Sequence, residues 1–151
     1  MSTETKPFIE SSVIIKATAA EVWKALTTAE ATRQYMFGCN IESDWTPESP
    51  VLWRGNEDGM VYVKGKLVRF EKEKTLEYTV IEPNAPYPDT PENHLHVTYT
   101  IAAEPEGTRL DVNHGDFSKV ADGEKRYGHT IADGGWNAIL AKIKDVVEQS
   151  L

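Results

Sequence analysis

The sequence predicts an α+β fold in which one antiparallel sheet is covered by a C-terminal helix, and three observations carry that prediction. From about residue 39 to residue 117 apolar residues alternate at strand period between turn signals such as Asn56-Glu57-Asp58-Gly59 and Glu104-Pro105-Glu106-Gly107. Beyond them Trp136, Ile139, Leu140, Ile143, Val146 and Val147 recur at helical spacing almost to the C-terminus, which describes one long amphipathic closing helix. A sheet of that extent with one apolar face must bury it, and this helix is the element long enough to do so.

Taken in order, Phe8 to Lys16 reads as a first strand with β-branched Val13, Ile14 and Ile15 at its centre. Thr18 caps a short helix, with Glu21 in the capping-box position and Val22, Trp23, Ala25 and Leu26 as its apolar stripe. A second helix over 29–35 ends near Gly38. Six strands follow, at 39–44, 51–54, 60–70, 75–81, 94–103 and 108–117. Residues 83–93 hold Pro83, Pro86, Pro88 and Pro91, which cannot join a ladder, so they form an irregular rim or lid loop with Tyr87 as its apolar tip. The stretch that leads into the closing helix, with Tyr127, His129, Asp133 and the pair Gly134-Gly135, supplies few side chains able to fill a core. A helix anchored at one end and thin at the other suggests a cavity.

At 151 residues the chain reads as one domain, 1–151, with 1–7 as a flexible tail. Its net charge of −8 repels phosphate backbones, which argues against a nucleic-acid partner. No apolar run approaches the roughly 20 residues needed to span a bilayer, so membrane insertion is not expected. The single Cys39 and the lack of a secretory leader point to a reducing cytoplasm.

Three stretches carry a family resemblance. They are Ile14 to Thr27, reading IIKATAAEVWKALT; Lys64 to Phe70, KGKLVRF, followed by Thr75 to Tyr78, TLEY; and Gly134 to Lys144, GGWNAILAKIK. In this order the chain resembles the START-like, SRPBCC superfamily, and within it the family named after the activator of the heat-shock-protein-90 ATPase, over residues 8–148. The resemblance implies a helix-grip (START/Bet v-like) fold: a curved antiparallel sheet wraps the long C-terminal helix, two short helices close one end, and a deep apolar cavity lies between. It implies no shared catalytic motif, and from the residues no cofactor is expected. Where relatives often carry a tryptophan after the second helix, this chain has Arg33-Gln34-Tyr35-Met36-Phe37-Gly38, which implies a differently shaped mouth. With the first strand starting near Phe8, the additional N-terminal domain of the co-chaperone activators is not expected.

Strand alternation nominates the lining. Leu95, Val97, Tyr99 and Ile101 share one face of their strand, Leu110, Val112 and His114 one face of the next, and Tyr78 goes with Leu76 and Val80. In the strand at 60–70 both faces carry apolar residues and the inner one is left open. The ligand-binding candidates are Met36, Phe37, Trp45, Trp53, Tyr62, Tyr78, Tyr99, Val112, His114, Tyr127, Ile131 and Gly135. The alternative for each aromatic is ordinary core, and Trp23 and Trp136 are assigned to packing. His114 and Asp116, two apart on one strand face, and Tyr127 are the candidates for moving protons. His94 and His96 have the spacing that offers two ligands to a metal, but a third is missing and their face is the solvent one, so no metal site is expected. Cys39 reads as a buried thiol.

The expected function is binding of a small hydrophobic or amphipathic molecule of the lipid, polyketide or aromatic class, as a carrier or sensor acting as monomer or homodimer. A cyclase, aromatase or dehydratase using the same cavity is the alternative. A co-chaperone-like interaction module that uses the outer surface is another.

Overall fold

The computed structural model of the chain describes residues 7–150. The tail expected over 1–7 lies outside the described residues apart from Pro7, whose carbonyl accepts a 2.7 Å hydrogen bond from the Phe117 amide. Seven strands form one antiparallel sheet: β1 (Phe8–Ile15), β2 (Cys39–Ser43), β3 (Pro50–Gly55), β4 (Val61–Glu71), β5 (Thr75–Val80), β6 (Leu95–Glu104) and β7 (Gly107–Gly115). Their spatial order is β1-β7-β6-β5-β4-β3-β2, so β2 to β7 run as a meander and β1 closes beside β7.

Two short helices, α1 (Ala19–Thr27) and α2 (Ala29–Tyr35), follow β1 as expected. The hydroxyl of Thr18 caps α1, accepting from the Glu21 amide at 3.2 Å and donating to the Glu21 carboxylate at 3.0 Å. Val22, Trp23, Ala25 and Leu26 are all buried, which gives the helix its packing face. Thr32, fully buried on α2, joins that helix to β2: its hydroxyl donates to the Cys39 carbonyl at 3.1 Å and accepts from the Ile41 amide at 3.0 Å. Replacing it with the isosteric Thr32→Val leaves both backbone groups unpaired, and a loss of about 1–3 kcal/mol in urea unfolding is expected. Stability equal to that of the wild type would remove Thr32 as the tie.

The C-terminal region departs from a single long helix. It forms α3 (Gly123–Ile131), a 3-10 turn at Ala132–Gly134 and α4 (Gly135–Gln149). Gly134 and Gly135 have φ of +92° and +52°, the left-handed region that side chains disfavour, and a Cβ on Gly135 would lie 2.7 Å from the Thr130 carbonyl. The double glycine therefore ends one helix and starts another in a new direction. From there Trp136, Leu140, Ile143 and Val147 form the buried stripe of α4, which packs on β1, α2 and α1. Each wholly buried Leu or Ile of this kind contributes roughly 1.5–3 kcal/mol, so α4 anchors the core.

The two apolar faces of β4 have a physical cause. Its pairing slips twice, between Trp53 and Arg54 opposite Tyr62, and between Leu67 and Arg69 around Val68. Each extra residue reverses the in-and-out phase of the strand, so Leu67 and Phe70, three apart, both pack in the core. The proline-rich loop also differs from expectation. Tyr87 is no free tip: its ring lies under the Arg126 guanidinium of α3, 4.6 Å from ring centre to guanidinium carbon. Arg126 donates to the Asn93 carbonyl at 2.8 Å, and the Asn93 side chain accepts from the Ala121 amide at 3.0 Å. On its other side Asp89 pairs with Lys64 at 2.6 Å and accepts from His94 Nε2 at 2.6 Å, while the Thr79 hydroxyl meets His94 Nδ1 at 2.9 Å. The loop is thereby tied to α3 on one side and to β4 and β5 on the other, and none of its residues lines the cavity, so it is not the rim or lid expected.

Candidate functional site

The inner face of the sheet divides into rows set by strand pairing. Leu76, Tyr99 and Val112 pair across β5, β6 and β7, as do Tyr78, Val97 and His114 in the next row. The first row lies in the packed core with Trp136, whose ring meets Tyr99 edge-on at 5.8 Å. The second row faces open space. A cavity of about 1120 Å³ lies over Tyr78, Val97 and His114, between the sheet and the start of α4. This slightly exceeds the ~300–1,000 Å³ common for small-molecule sites. Gly135, Trp136, Ala138 and Ile139 of α4 form its roof, Trp53 and Val63 line its β3–β4 side, and Met36 and Cys39 its α2–β2 side. Its mouth is marked by the turns at 36–38 and 55–59, where Phe37 is 81% exposed, and by the neighbouring Tyr62 of β4, 48% exposed.

Seven of the twelve nominated binding residues border this space: Met36, Phe37, Trp53, Tyr62, Tyr78, His114 and Gly135. Five do not. Tyr99 and Val112 share the correct face but sit one row too far into the core. Trp45 packs at the far end, its ring 5.4 Å from Phe70, which Trp23 meets edge-on at 5.1 Å. Tyr127 belongs to a separate cluster with Leu95 and Phe117, and Ile131 is exposed at the end of α3. Conversely Trp136, assigned to packing alone, borders the cavity as well as the core. Its helical spacing is the same for either role, so periodicity could not separate them.

The proton-moving set is not assembled. β7 ends at Gly115, so Asp116 leaves the face that carries His114. Its carboxylate instead accepts from the hydroxyl and amide of Ser118, which hold it below the usual carboxylate range. Phe117 meets His114 edge-on at 4.9 Å and Tyr127 edge-on at 5.4 Å, and so separates the two. Burial pushes the Cys39 thiol up, with the nearby Asp58 charge adding to it, which disfavours the thiolate a nucleophile would need. His96 Nδ1 meets Glu77 at 2.7 Å, while the two nitrogens of His94 are engaged by Thr79 and Asp89, so the two imidazoles are held by different partners.

His114 is the polar group of this cavity wall with the most constrained chemistry. It is 7% exposed, and burial, reinforced by the Arg126 charge, lowers its pKa to about 4. At neutral pH the ring is therefore uncharged and carries one proton. The indole N–H of Trp136 donates to Nδ1 at 3.0 Å, with the two rings perpendicular and 5.8 Å apart. Nδ1 is thus the acceptor and Nε2 carries the hydrogen. Nε2 is buried and has no partner among the described residues. In the same row, burial raises the Tyr78 hydroxyl well above its ordinary value, so it also stays protonated. At the mouth, the Tyr62 hydroxyl donates to Asp58 and the Met60 amide donates to the same carboxylate at 3.0 Å, which fixes the turn and holds Asp58 below its usual range.

A curved antiparallel sheet, a C-terminal helix gripped by it and a cavity between the two define a helix-grip protein. The chain belongs to the family described as Activator of Hsp90 ATPase homolog 1-like protein, which matches residues 16–148. It is similar to ChR145 from Cytophaga hutchinsonii, with 30% identity and TM-score 0.73, covering 98% of each chain. The Aha1 dimer from Colwellia psychrerythraea shares the fold at 18% identity and TM-score 0.67, covering 93% of this chain and 96% of that one. MLL2253 from Mesorhizobium loti does so at 20% identity and TM-score 0.74, covering 95% and 98%. No curated protein matches the chain in sequence. Among the described residues no helix is long and apolar enough to cross a membrane.

Proposed function

We propose that the chain binds a small hydrophobic or amphipathic molecule in this cavity and serves as a carrier or sensor in the cytoplasm. The observation that carries the reading is the 1120 Å³ space over Tyr78, Val97 and His114, left open by the helix break at Gly134-Gly135. Walls built of aromatic and aliphatic side chains with a few convergent polar groups suit such a ligand. The family supports a ligand-binding domain in general. The dispersal of His114, Asp116 and Tyr127 to three environments favours binding over acid–base catalysis, which needs donor and acceptor within reach of one substrate.

Native mass spectrometry of the purified protein, followed by organic extraction, is expected to reveal a copurifying apolar molecule or stoichiometric uptake of an apolar dye. Ala138→Trp, which places an indole on the roof, should abolish either signal while leaving the circular dichroism spectrum intact. Absence of any bound molecule together with failure to take up the dye would sink the proposal.

A further inference from the structure

Three of the six large apolar side chains exposed among the described residues, Phe37, Met60 and Tyr62, stand together at the cavity mouth. The Met60 amide and the Tyr62 hydroxyl both donate to Asp58, which folds the turn at 55–59 against them. The Asn56 amide of that turn donates to the Gly38 carbonyl at 2.9 Å, which sets the turn beside Phe37. Phe37 itself has φ of +53°, a left-handed conformation that is disfavoured for a bulky residue. Neither core packing nor backbone preference accounts for an aromatic ring at that position. A ring held out in water on a fixed turn is suited to anchor a partner.

The charges beside the patch say which partner fits. Arg33 of α2 and Lys142 of α4 border the mouth where those two helices pack together, and neither makes an ion pair among the described residues. Glu57 and Asp58 border it from the turn, and among the described residues no cation pairs with them either. Cations on the helices, Phe37 and carboxylates on the turn therefore share one surface. A two-fold axis through Phe37 makes that surface its own complement, because each copy then sets its cations against the carboxylates of the other. A lipid surface would instead place Glu57 and Asp58 opposite headgroup phosphates. A uniformly acidic or basic protein would satisfy one of the two sets and repel the other.

We infer that two copies of the chain associate mouth to mouth through this surface, with Phe37 of each capping the cavity of the other. Arg33 and Lys142 of each copy face Glu57 and Asp58 of the other, and Met60 and Tyr62 are covered between them. A patch this small gives a reversible dimer, with a Kd of the order of 10 µM, and not an obligate one. Capping closes the exit, so a molecule in the cavity leaves from the monomer. That last consequence alone rests on the ligand-binding reading above.

Sedimentation velocity of the full chain from about 2 µM to about 300 µM is expected to show the mass rising from one chain to two. In about 0.15 M salt the repulsion between two chains of net charge −8 is screened beyond about 8 Å, while close pairs persist. Phe37→Asn removes the ring and suits the left-handed backbone, so it should weaken the dimer about tenfold or more without loss of fold. Lys142→Glu and Glu57→Lys, both at exposed positions, should each weaken self-association about fivefold. An equimolar mixture of those two variants should dimerise more tightly than either alone, because a two-fold interface pairs the new carboxylate with the new cation. A single chain's mass throughout the range overturns the inference, and cosedimentation of that monomer with phosphatidylcholine vesicles would assign the patch to a lipid surface. Dimers that ignore Phe37→Asn and gain nothing in the mixture place the interface elsewhere and overturn it equally. Dissociation of a bound apolar dye should slow about tenfold as the protein concentration passes through the dimer range. A dimer that obeys the substitutions but takes up no dye keeps the interface and sinks the binding reading instead.

Discussion

Trp136→Ala is expected to destabilise the domain by about 3–5 kcal/mol, the range for removing a large aromatic from a core. The indole is 6% exposed and stands between the packed rows of the sheet and the cavity, touching Tyr99 on one side and His114 on the other. Its removal extends the cavity into the core and leaves Nδ1 of a buried imidazole without its donor. Trp136→Phe separates the two effects. It keeps most of the apolar contact and deletes only the N–H, so the unpaired acceptor alone should lower stability by about 1–3 kcal/mol. In a His114→Phe background the acceptor no longer exists, and Trp136→Phe should then be close to neutral, a non-additivity of about 1–2 kcal/mol. Urea unfolding of the four proteins at pH 7.5 gives the cycle. If the two substitutions simply add, the hydrogen bond contributes nothing and His114 has no fixed tautomer.

The same pair of residues shows where the sequence was legible and where it was not. Alternation placed Tyr78, Val97, Tyr99, Val112 and His114 on the inner face, and all five are there. It could not tell which of them meet the cavity, because that depends on how far each strand slides against the next: Tyr78 and Tyr99 have the same character but sit in successive rows. Within β4 the period itself failed, since two slipped pairings reverse its phase and a one-dimensional pattern cannot register an extra residue. The glycine pair was visible as a thin place in the closing helix. That it breaks the helix depends on backbone angles near the Thr130 carbonyl, which composition does not encode. Asp116 was misplaced for a related reason: the strand ends one residue before it, and past a strand end the rule of alternate faces has no force.

Stability is expected to fall as pH drops from 6.5 towards 4, before the carboxylates titrate. In the folded protein His114 takes up its proton only near pH 4, against 6.5 for the free side chain, because burial and the Arg126 charge disfavour the imidazolium. Between those values the unfolded chain binds the proton and the folded one does not, so acidification favours unfolding. At 1.36 kcal/mol per unit, the whole interval amounts to about 3 kcal/mol, fully present as stability above pH 6.5 and lost by pH 4. Asp58, Asp89, Asp116 and Glu148 act in the same direction, since hydrogen bonds lower each of them, but their losses begin only below the ordinary carboxylate values of 3.8 and 4.5. His114→Phe removes the histidine contribution and leaves theirs, so the difference between the two proteins isolates it. Urea midpoints measured from pH 7.5 to 4.5 should converge as pH falls, with the wild type losing stability and the variant nearly level by comparison. Parallel curves over that range would mean that His114 is protonated as readily folded as unfolded, and that its nitrogens are not locked by Trp136 and the cavity wall.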